Sequence, residues 1–583
     1  MKAVIGKLWK PALTLSLAVS VFLFWRFGYP AALTYQEQFQ LFLFGIDYFV
    51  DHLGVPGGLA DYVAEFLVQF YNSVALGAVL IALLAILVQQ LTYWLMVKEC
   101  ADRHALLYPL SFIPSFLLWF LMGDINIMPT FVVAVVFAMC AMLVCPRQGR
   151  LRLVYWFIAV LALYWLVGSI VLVFAVYVAI AETLNNRSRL TGIGWGIVVF
   201  GYAIACIIVS SHLVPYPLNR LFRGLAYYRF PEVLSYIMVI VAAIVAILPF
   251  VGRFLSIVSR KSIHGYIVGT ETFVLVALGV LLIPKGYDKK TYELIDYDFL
   301  VRVHDWDGII AKAERQMPDL PMSVCATNLA LGMKGQLGDR AFHFYQNGTQ
   351  GLLPPFERNF TTLLVTAEAY WQLGLVNTAQ RFEFESMESL PNYKKSCRII
   401  RRLAETNLVN GQYAVAEKYL NLLEKTFFYA RWSRRTKALL GHEKAINAHP
   451  LYGCLRRMRL TEDFLFSEDE ADKIIGKLVV RNSDNMLAVQ YLLLWPLLQR
   501  DINKFMNYMQ FTSGHMKYNP QTCQEAIAFA YMTKNERPPR DYVSPLTEQS
   551  MMDFSRIYQN GGHIGQQLAA FRNTVWYYLM NIK

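Results

Sequence analysis

Residues 74–97 read VALGAVLIALLAILVQQLTYWLMV, and none of these positions carries a formal charge. A helix crosses the hydrocarbon core of a bilayer with about 20 mainly apolar residues. This run is therefore predicted to be a membrane-spanning helix, and the protein is predicted to be an integral membrane protein.

Further apolar runs flank this helix, so the first half of the chain is predicted to cross the membrane about nine times. The other eight runs are Pro11–Phe27, Ala105–Met122, Ile127–Cys145, Leu153–Val167, Ile170–Ala181, Gly192–Ser210, Val233–Phe250 and Tyr266–Ile283. The fifth and sixth runs are short, and we interpret them as a hairpin bent at Gly168–Ser169, with one long span as the alternative. The first run is expected to be a retained span and not a signal peptide, because no A-x-A cleavage site closes it.

The composition changes near residue 285. Of the 583 residues only 16% are charged, against about 25% in ordinary soluble proteins. Residues 1–285 hold 18 of the 54 Lys and Arg and 11 of the 42 Asp and Glu. This shift predicts an all-α chain with a transmembrane domain over residues 1–285 and a soluble helical domain over residues 286–583. The eight cysteines show no CxxC or zinc-ligand spacing.

The cations predict the orientation in the membrane, because cytoplasmic loops are enriched in Lys and Arg. With a cytoplasmic N-terminus, the inner segments collect Lys2, Lys7, Lys10, Lys98, Arg103, Arg147, Arg150, Arg152, Arg187, Arg189, Arg253, Arg260 and Lys261, and the outer ones Arg26, Arg220, Arg223, Arg229 and Lys285. An odd number of spans then places the C-terminal domain outside, in the periplasm of a cell inner membrane. If the hairpin were one span, that domain would be inside. Because membrane topology explains the cations, the net charge of +12 does not indicate a nucleic-acid partner.

The predicted outer loops hold the candidate polar residues. Residues 28–73, which we call loop one, contain two amphipathic helices separated by Pro56-Gly57-Gly58, and their apolar faces suit the membrane interface. The acids of loop one are Glu37, Asp47, Asp51, Asp61 and Glu65; loop two holds Asp124; the fourth outer loop holds His212, Arg220, Arg223 and Arg229. Glu271 lies within the last predicted span, where an ionisable group is a functional candidate by default. The preceding Val268-Gly269-Thr270 equally favours a role in helix packing.

The second half contains an internal repeat. Gly335, Gly374 and Gly411 occupy the same register in three helical segments, and the last two are 37 residues apart. This period is close to the 34 or so residues of tetratricopeptide (TPR) repeats, and small residues at these positions are expected to let paired helices approach closely. We therefore predict a TPR-like domain. It either presents a concave surface to partner segments or packs only on the membrane half.

The segments EQFQLFLF (37–44), PGGLADYVAEFLVQFY (56–71) and RRLAETNLVNGQYAVAEKYLNLLEKTFFY (401–429) resemble an uncharacterised family of bacterial multi-spanning membrane proteins. The layout of the chain also resembles that of membrane glycosyltransferases of the C superfamily, which use polyprenyl-phosphate-linked donors. Those enzymes share a first outer loop of two interfacial helices, an acidic second outer loop and an outer C-terminal domain. They often carry an acidic pair in loop one, whereas Glu37 is flanked by Gln36 and Gln38.

The resemblance to glycosyltransferases implies roles for the outer-loop residues. Glu37 and Asp124 would be the catalytic carboxylates, because an acceptor hydroxyl must be deprotonated or oriented, and they could hold a divalent Mg or Mn ion. His212, Arg220, Arg223 and Arg229 would bind the phosphate of the lipid-linked donor. The alternative for Glu37 is a solvated acid near lipid headgroups, and for the arginines contact with lipid phosphates.

Three functions remain open. The first is a glycosyltransferase-like enzyme that uses a lipid-linked sugar and acts on envelope glycoconjugates or proteins at the outer face. The second is a scaffold whose repeats bind envelope proteins, and the third is a transporter or flippase. The sequence has no Walker A, HExxH or GxSxG motif in a suitable context, which argues against the common ATPases, zinc proteases and serine hydrolases.

Overall fold

The computed structural model describes residues 2–100, 105–125, 127–147, 149, 151–186, 188–223, 235–255, 264–357, 360–390, 394–462, 464, 467, 470–516, 518–560 and 566–580. Within these residues every regular element is a helix, which confirms the all-α fold class. The chain forms two compact units. Unit 1 comprises Met1–Tyr292 together with Leu390–Cys397 and Glu424–Ala430, and unit 2 comprises the rest of the second half.

Unit 1 is built around long apolar helices. Its α-helices are α1 (Lys2–Leu23), α2 (Pro30–Glu37), α3 (Ile46–Leu53), α4 (Gly58–Val68), α5 (Val74–Glu99), α6 (Leu107–Leu110), α7 (Ile113–Leu121), α8 (Thr130–Val144), α9 (Leu151–Val167), α10 (Val171–Asn185), α11 (Arg189–Ser210), α12 (Leu218–Arg223), α13 (Tyr236–Leu255) and α14 (His264–Leu282). Short 3₁₀ turns join several of them, and a π-helical turn at Phe24–Gly28 extends α1.

Six stretches among the described residues are long and apolar enough to cross a membrane, fewer than the nine spans predicted. They are Leu8–Gly28, Val74–Glu99, Leu151–Asn185, Arg189–Ser210, Tyr236–Arg253 and Val268–Gly286. The predicted spans 105–122 and 127–145 form shorter apolar helices, Leu107–Leu121 and Thr130–Val144. The first of these is broken between α6 and α7, where Pro114 occupies the first turn of α7 and has no backbone N–H to donate to the preceding turn.

The stretch Leu151–Asn185 is a continuous helical run of 35 residues, but it folds back on itself. Arg152 Nη2 lies 3.2 Å from Glu182 Oε2, and the rings of Tyr155 and Phe174 are 6.3 Å apart. A straight helix rises 1.5 Å per residue and would hold these pairs far apart. The reversal occurs at Gly168, whose φ of +62° suits glycine and few other residues. These contacts support the hairpin and not the single long span.

The helices α10 and α11 pack closely because glycine removes side-chain bulk between them. A Cβ atom on Gly196 would lie 2.8 Å from Cβ of Ala179, and one on Gly192 would lie 2.5 Å from the carbonyl oxygen of Glu182. Small residues at helix contacts let backbones approach in membrane bundles, where van der Waals packing drives association.

Unit 2 is a series of short helices. They are α15 (Lys289–Arg302, which begins in unit 1), α16 (Trp306–Arg315), α17 (Pro321–Met333), α18 (Leu337–Arg340), α19 (Phe360–Leu373), α20 (Val376–Glu388), α21 (Cys397–Asn410), α22 (Tyr413–Glu424), α23 (Ala430–Lys437), α24 (Glu443–Ala448), α25 (Pro450–Met458), α26 (Ala471–Arg481), α27 (Met486–Leu498), α28 (Ile502–Thr512), α29 (Gln521–Met532), α30 (Pro545–Gln559) and α31 (Val575–Leu579). The apolar helix α27 is buried over nearly its whole length, so it forms the core of this unit.

The repeated glycines have a different physical role from the one we predicted. Gly335, Gly374 and Gly411 have φ values of +69°, +93° and +78°, and they lie between the helices α17 and α18, α19 and α20, and α21 and α22. A Cβ atom on Gly335 or Gly411 would meet nothing within 4 Å, so close approach of helices does not require glycine there. The left-handed conformation that closes the helix does. The structure thus shows the same order of helix, left-handed glycine and helix three times, and the assignment of this domain as TPR-like stays a prediction.

A buried charge network lies inside unit 2 around Arg402. Its guanidinium pairs with Glu368, lies 3.3 Å from Glu405 and 3.9 Å from Glu383, and covers the ring of Trp371 at 4.3 Å. Burial raises the pKa of Glu383 to about 8 despite the nearby Arg402, because desolvation penalises the charged form. Glu383 is therefore expected to be a neutral acid at pH 7.

Candidate functional site

Loop one is completed by two segments that come from the second half of the sequence but belong to unit 1. The backbone N–H of Leu41 donates to the carbonyl of Lys395 at 3.0 Å, and that of Phe44 donates to the carbonyl of Lys425 at 2.8 Å. These extended residues lie between α2 and α3, where no helix supplies their partners. Backbone groups without a helical partner need other hydrogen bonds when buried, and residues 390–397 and 424–430 provide them.

Lys394 forms the centre of a buried ion cluster. Its Nζ donates to both carboxylate oxygens of Asp61 at 2.8 and 2.7 Å and to Glu65 Oε1 at 2.7 Å. The side chains of Lys394 and Glu65 are only 6% and 3% exposed. Asp61 and Glu65 are one turn apart on α4 and therefore share a face of that helix.

The charges of this cluster stabilise one another. Burial alone would raise the pKa of Glu65, but Lys394 and His52 outweigh it and lower that pKa to about 2. Burial would likewise lower the pKa of Lys394, yet Asp61 and Glu65 raise it above its ordinary value. A buried charge is tolerated when it is paired and hydrogen-bonded, and Glu65 and Lys394 are therefore both charged at neutral pH.

Helix α3 and loop two supply the remaining contacts of the cluster. His52 Nε2 lies 3.1 Å from Glu65 Oε2, and the Tyr48 hydroxyl donates to the same carboxylate. Thr130, the first residue of α8, donates its hydroxyl to Asp61 at 2.7 Å. The cluster thus joins α3, α4, the start of α8 and the 390–397 segment.

His52, Asp61 and Glu65 are the residue types that bind metal ions, and their ligand atoms lie within 4.8 Å of one another. The Lys394 ammonium, however, already lies within hydrogen-bond distance of both carboxylates. A divalent ion in the same place would face a fixed positive charge. The arrangement therefore does not fit a metal, and Lys394 supplies the cation.

Glu37 lies at the C-terminal end of α2 and is buried, at 3% exposure. The Tyr429 hydroxyl lies 3.1 Å from one of its carboxylate oxygens and 3.4 Å from the other, and it also accepts from the Asn72 amide at 3.2 Å. Glu37 is therefore not the solvated acid of the alternative interpretation.

Asp124 is half-buried in loop two beside a group of aromatic rings. The Tyr292 hydroxyl donates to the carbonyl of the preceding Gly123 at 3.0 Å, and the ring of Tyr292 lies 4.8 Å from that of Tyr29 and 5.2 Å from that of Tyr287. Loop two also reaches loop one, since the Gln40 amide lies 3.4 Å from the Met128 sulfur. Glu37 and Asp124 thus lie in adjoining loops.

The predicted phosphate-binding residues lie on and before α12. His212 and Arg223 are exposed and Arg220 is half-buried, while Arg229 lies outside the described residues. Helix α12 packs against the turn at Gly168–Ile170. The neighbouring Trp165 donates its indole N–H to the Leu53 carbonyl of loop one at 2.6 Å, so Arg220 and Arg223 lie at the end of unit 1 that carries loop one.

A cleft of about 320 Å³ lies between α1, α7 and α14. Its lining is almost wholly apolar: Leu13, Ser16, Leu17, Ser20, Phe24, Pro109, Phe112, Phe116, Trp119, Thr272, Leu275, Val276, Gly279, Val280, Ile283 and Pro284. One end of the cleft is formed by Phe24 and Trp119, whose rings are 5.1 Å apart. Phe24 also contacts Tyr287 at 5.0 Å, so the cleft ends at the aromatic group beside Asp124.

The intramembrane acid Glu271 lies on α14 directly before Thr272, which lines the cleft. Glu271 is half-buried, and its Oε2 atom has no hydrogen-bond partner among the residues that the structure describes. Its position beside the cleft links it to the same apolar surface.

The sequence analysis named Asp61 and Glu65 among the acids of loop one but assigned no role to either, and it did not name His52 or Lys394. One signal was present: Asp61 and Glu65 are four residues apart in an otherwise apolar helix, which places two acids on one face. No local signal marks Lys394, which is 329 residues from Glu65 in sequence.

Residues 6–582 match a protein family described as a family of unknown function, DUF6057. The chain belongs to this family. No curated protein and no solved structure gives a significant match. Membership in DUF6057 covers nearly the whole chain, so both units are part of the family's architecture.

Proposed function

We propose that this DUF6057 protein is a membrane transferase of the glycosyltransferase type that acts on a lipid-linked donor. The observation that supports it best is the apolar cleft between α1, α7 and α14, because it ends at the aromatic group beside Asp124. A lipid-linked donor has an apolar tail and a polar phosphate-linked head, and such a cleft with a carboxylate at its end suits both parts.

The cleft provides the tail site. Ligand sites commonly have volumes of about 300–1,000 Å³ and are lined mainly by apolar and aromatic side chains, and this cleft of about 320 Å³ lies at the lower end of that range. Ser16 and Ser20 of α1 and Thr272 of α14 are the polar residues in its wall. A polyprenyl chain in the bilayer would bind such a surface through van der Waals packing, which drives apolar association inside membranes.

Asp124 is the candidate general base. In the proposed transfer the acceptor hydroxyl gives its proton to the Asp124 carboxylate, and its oxygen forms a bond to the anomeric carbon of the sugar. The bond from that carbon to the donor phosphate breaks, and the lipid phosphate leaves as an anion. Arg220 and Arg223 are the candidates to stabilise its charge, because a guanidinium binds phosphate through paired donors.

The remaining loop-one acids have a supporting role in this proposal. Lys394 forms ion pairs with Asp61 and Glu65, and the Tyr429 hydroxyl donates a hydrogen bond to Glu37. Fixed hydrogen bonds and charge pairs hold loop one in place next to loop two, which keeps Asp124 in position for the donor.

The test separates binding from transfer. The purified protein in nanodiscs is exposed to a photoreactive polyprenyl phosphate, and the envelope glycoconjugates of cells carrying each variant are compared by mass spectrometry. Asp124→Asn should retain labelling of α1, α7 or α14 but lose transfer, and Gly279→Leu should fill the cleft and lose labelling. Asp47→Asn, which changes an exposed acid of loop one, should change neither. Unaltered glycoconjugates in Asp124→Asn cells would reject the proposal.

Glu271 favours a second candidate, a lipid transporter. Ionisable groups in membrane spans commonly mark substrate or proton pathways, and Glu271 lies beside the cleft. This function predicts that a fluorescent polyprenyl phosphate crosses the bilayer of proteoliposomes with wild-type protein but not with Glu271→Gln. If the protein is a transferase, the fluorescent lipid should cross the bilayer neither with wild-type protein nor with Glu271→Gln.

A further inference from the structure

We propose that residues 424–430 form a membrane-surface anchor together with α3, and that the partner of this surface is the lipid bilayer. The segment comes from the second half of the sequence, which composition alone assigns to the soluble domain. This inference does not depend on the transferase activity proposed above.

The segment belongs to a continuous set of exposed aromatic rings. Phe427 is 60% exposed, Phe44 47% and Phe66 37%. Phe70 connects them, since its ring lies 6.0 Å from that of Phe427 and 5.6 Å from that of Phe66. Large exposed apolar patches on a protein surface mark an interaction site.

Helix α3 extends this surface and has three distinct faces. Ile46 and Val50 are four residues apart and are 82% and 55% exposed, so they form an apolar stripe. Asp47 and Asp51, each one residue further along the chain, form an exposed acidic stripe. The third face carries Tyr48 and His52, whose side chains contact Glu65.

This arrangement matches a helix that lies in the plane of a membrane surface. One face is fixed to the protein, one faces water and one is available to lipid, as in interfacial amphipathic helices. The buried ion cluster fixes the rotation of α3, because Tyr48 and His52 must face α4. That rotation leaves Ile46 and Val50 exposed.

Continuity with the membrane spans identifies the bilayer as the partner. Phe66 and Phe70 lie on α4 and the turn after it, and α5, a membrane-length helix, begins at Val74. Protein segments that lie in the membrane surface carry Trp, Phe and Leu on the side that enters the headgroup region. Lys425, whose carbonyl accepts from Phe44, is exposed and can reach lipid phosphates.

The experiment places a photoreactive phenylalanine analogue, p-benzoylphenylalanine, at single positions of the full-length protein. The protein is reconstituted in nanodiscs of phosphatidylcholine and phosphatidylglycerol that contain an alkyne-tagged phosphatidylcholine. Position 427 is the test, position 46 a second site of the same surface, and position 511 the matched control. Phe511 is also an exposed phenylalanine, at 47%, but belongs to α28 of unit 2.

We expect irradiation to attach lipid at positions 427 and 46 at least tenfold more than at position 511. Positions 427 and 511 already carry phenylalanine, and the Ile46 side chain is 82% exposed, so each variant should fold, and an unchanged gel-filtration profile verifies this. Equal lipid attachment at 427 and 511 would overturn the proposal. Attachment of position 427 to a second protein in intact cells, without attachment to lipid, would also overturn it and would identify the surface as a protein interface.

Discussion

Replacing Lys394 by methionine should destabilise unit 1 strongly. Methionine keeps most of the length and apolar stem of lysine but removes the ammonium that donates to Asp61 at 2.7 and 2.8 Å and to Glu65 at 2.7 Å. Glu65 would then be a buried carboxylate without its main counter-charge. Breaking a buried ion pair by removing one partner costs about 3–5 kcal/mol.

The assay is thermal unfolding of the detergent-solubilised protein, followed by intrinsic tryptophan fluorescence. A loss of this size corresponds to a fall of at least about 6 °C in the unfolding midpoint. Lys395→Met is the matched control, since Lys395 is the exposed neighbour of Lys394, and it should shift the midpoint by less than about 1 °C, as surface substitutions usually do. The double variant Lys394→Met/Glu65→Gln should recover much of the loss, because the uncompensated charge is removed as well.

The pH dependence has a defined sign. The folded-state pKa of Glu65 is lowered to about 2, so its contribution to stability is fully present above its ordinary pKa and is lost as the pH falls through 2. Without Lys394 this carboxyl is expected to take up a proton more easily. The difference in unfolding midpoint between wild type and Lys394→Met should therefore become smaller as the pH falls from 7 towards 3. The ion-cluster argument would be refuted if Lys394→Met had the same unfolding midpoint as Lys395→Met. It would also be refuted if the two substitutions of the double variant lowered the midpoint additively.

Three further predictions follow from other parts of the structure. Lys394→Ala should open the group of His52, Asp61 and Glu65 to metal, so millimolar Zn²⁺ should raise its unfolding midpoint and leave that of the wild type unchanged. Glu383→Gln should make the stability of unit 2 less dependent on pH. The pKa of Glu383 is raised to about 8, so this carboxyl destabilises the folded state increasingly as the pH rises from its ordinary pKa to 8. The variant should therefore be more stable than wild type at pH 8 and equally stable at pH 4. Gly411→Ala should destabilise the protein by about 1 kcal/mol, because the φ of Gly411 is +78°. Gly476→Ala should stabilise it by up to about 1 kcal/mol, because Gly476 lies within α26 and an added Cβ would meet only a Leu492 methyl group, at 3.9 Å. Chemical denaturation of the two variants distinguishes these opposite signs.

The long apolar runs were predictable because hydrophobicity alone determines them. Residues 74–97 lie within α5, which extends to Glu99, and the hairpin at Gly168 follows from two short runs separated by a glycine. The number of membrane-length helices was not predictable, because the runs near Pro114 and Pro129 are apolar enough but form helices that begin only at Ile113 and Thr130. An apolar composition indicates that a segment is buried in lipid or in protein, but it does not determine the length of the helix that the segment forms.

The candidate site was less predictable than the fold. Loop one showed its acids in the sequence, but nothing local distinguished Glu37, which bonds Tyr429, from Asp61, which bonds Lys394. Both partners lie more than 300 residues away in sequence. Pairs at such a distance do not affect the hydrophobic periodicity of either segment, so the sequence pattern cannot reveal them. The register of Gly335, Gly374 and Gly411 was visible, yet its cause lies in backbone conformation and required φ values to establish.

The distance along the chain between Glu65 and Lys394 imposes an order on biosynthesis. At a synthesis rate of about 5–20 residues per second, the 329 intervening residues separate the two side chains by roughly 15–65 seconds. During that interval α4 carries two acids whose lysine has not yet been made, although the helices that follow it have already left the ribosome. Loop one therefore reaches its final charge balance only late in translation, and a chain that stops before residue 394 would expose this imbalance to the proteases that remove incomplete membrane proteins.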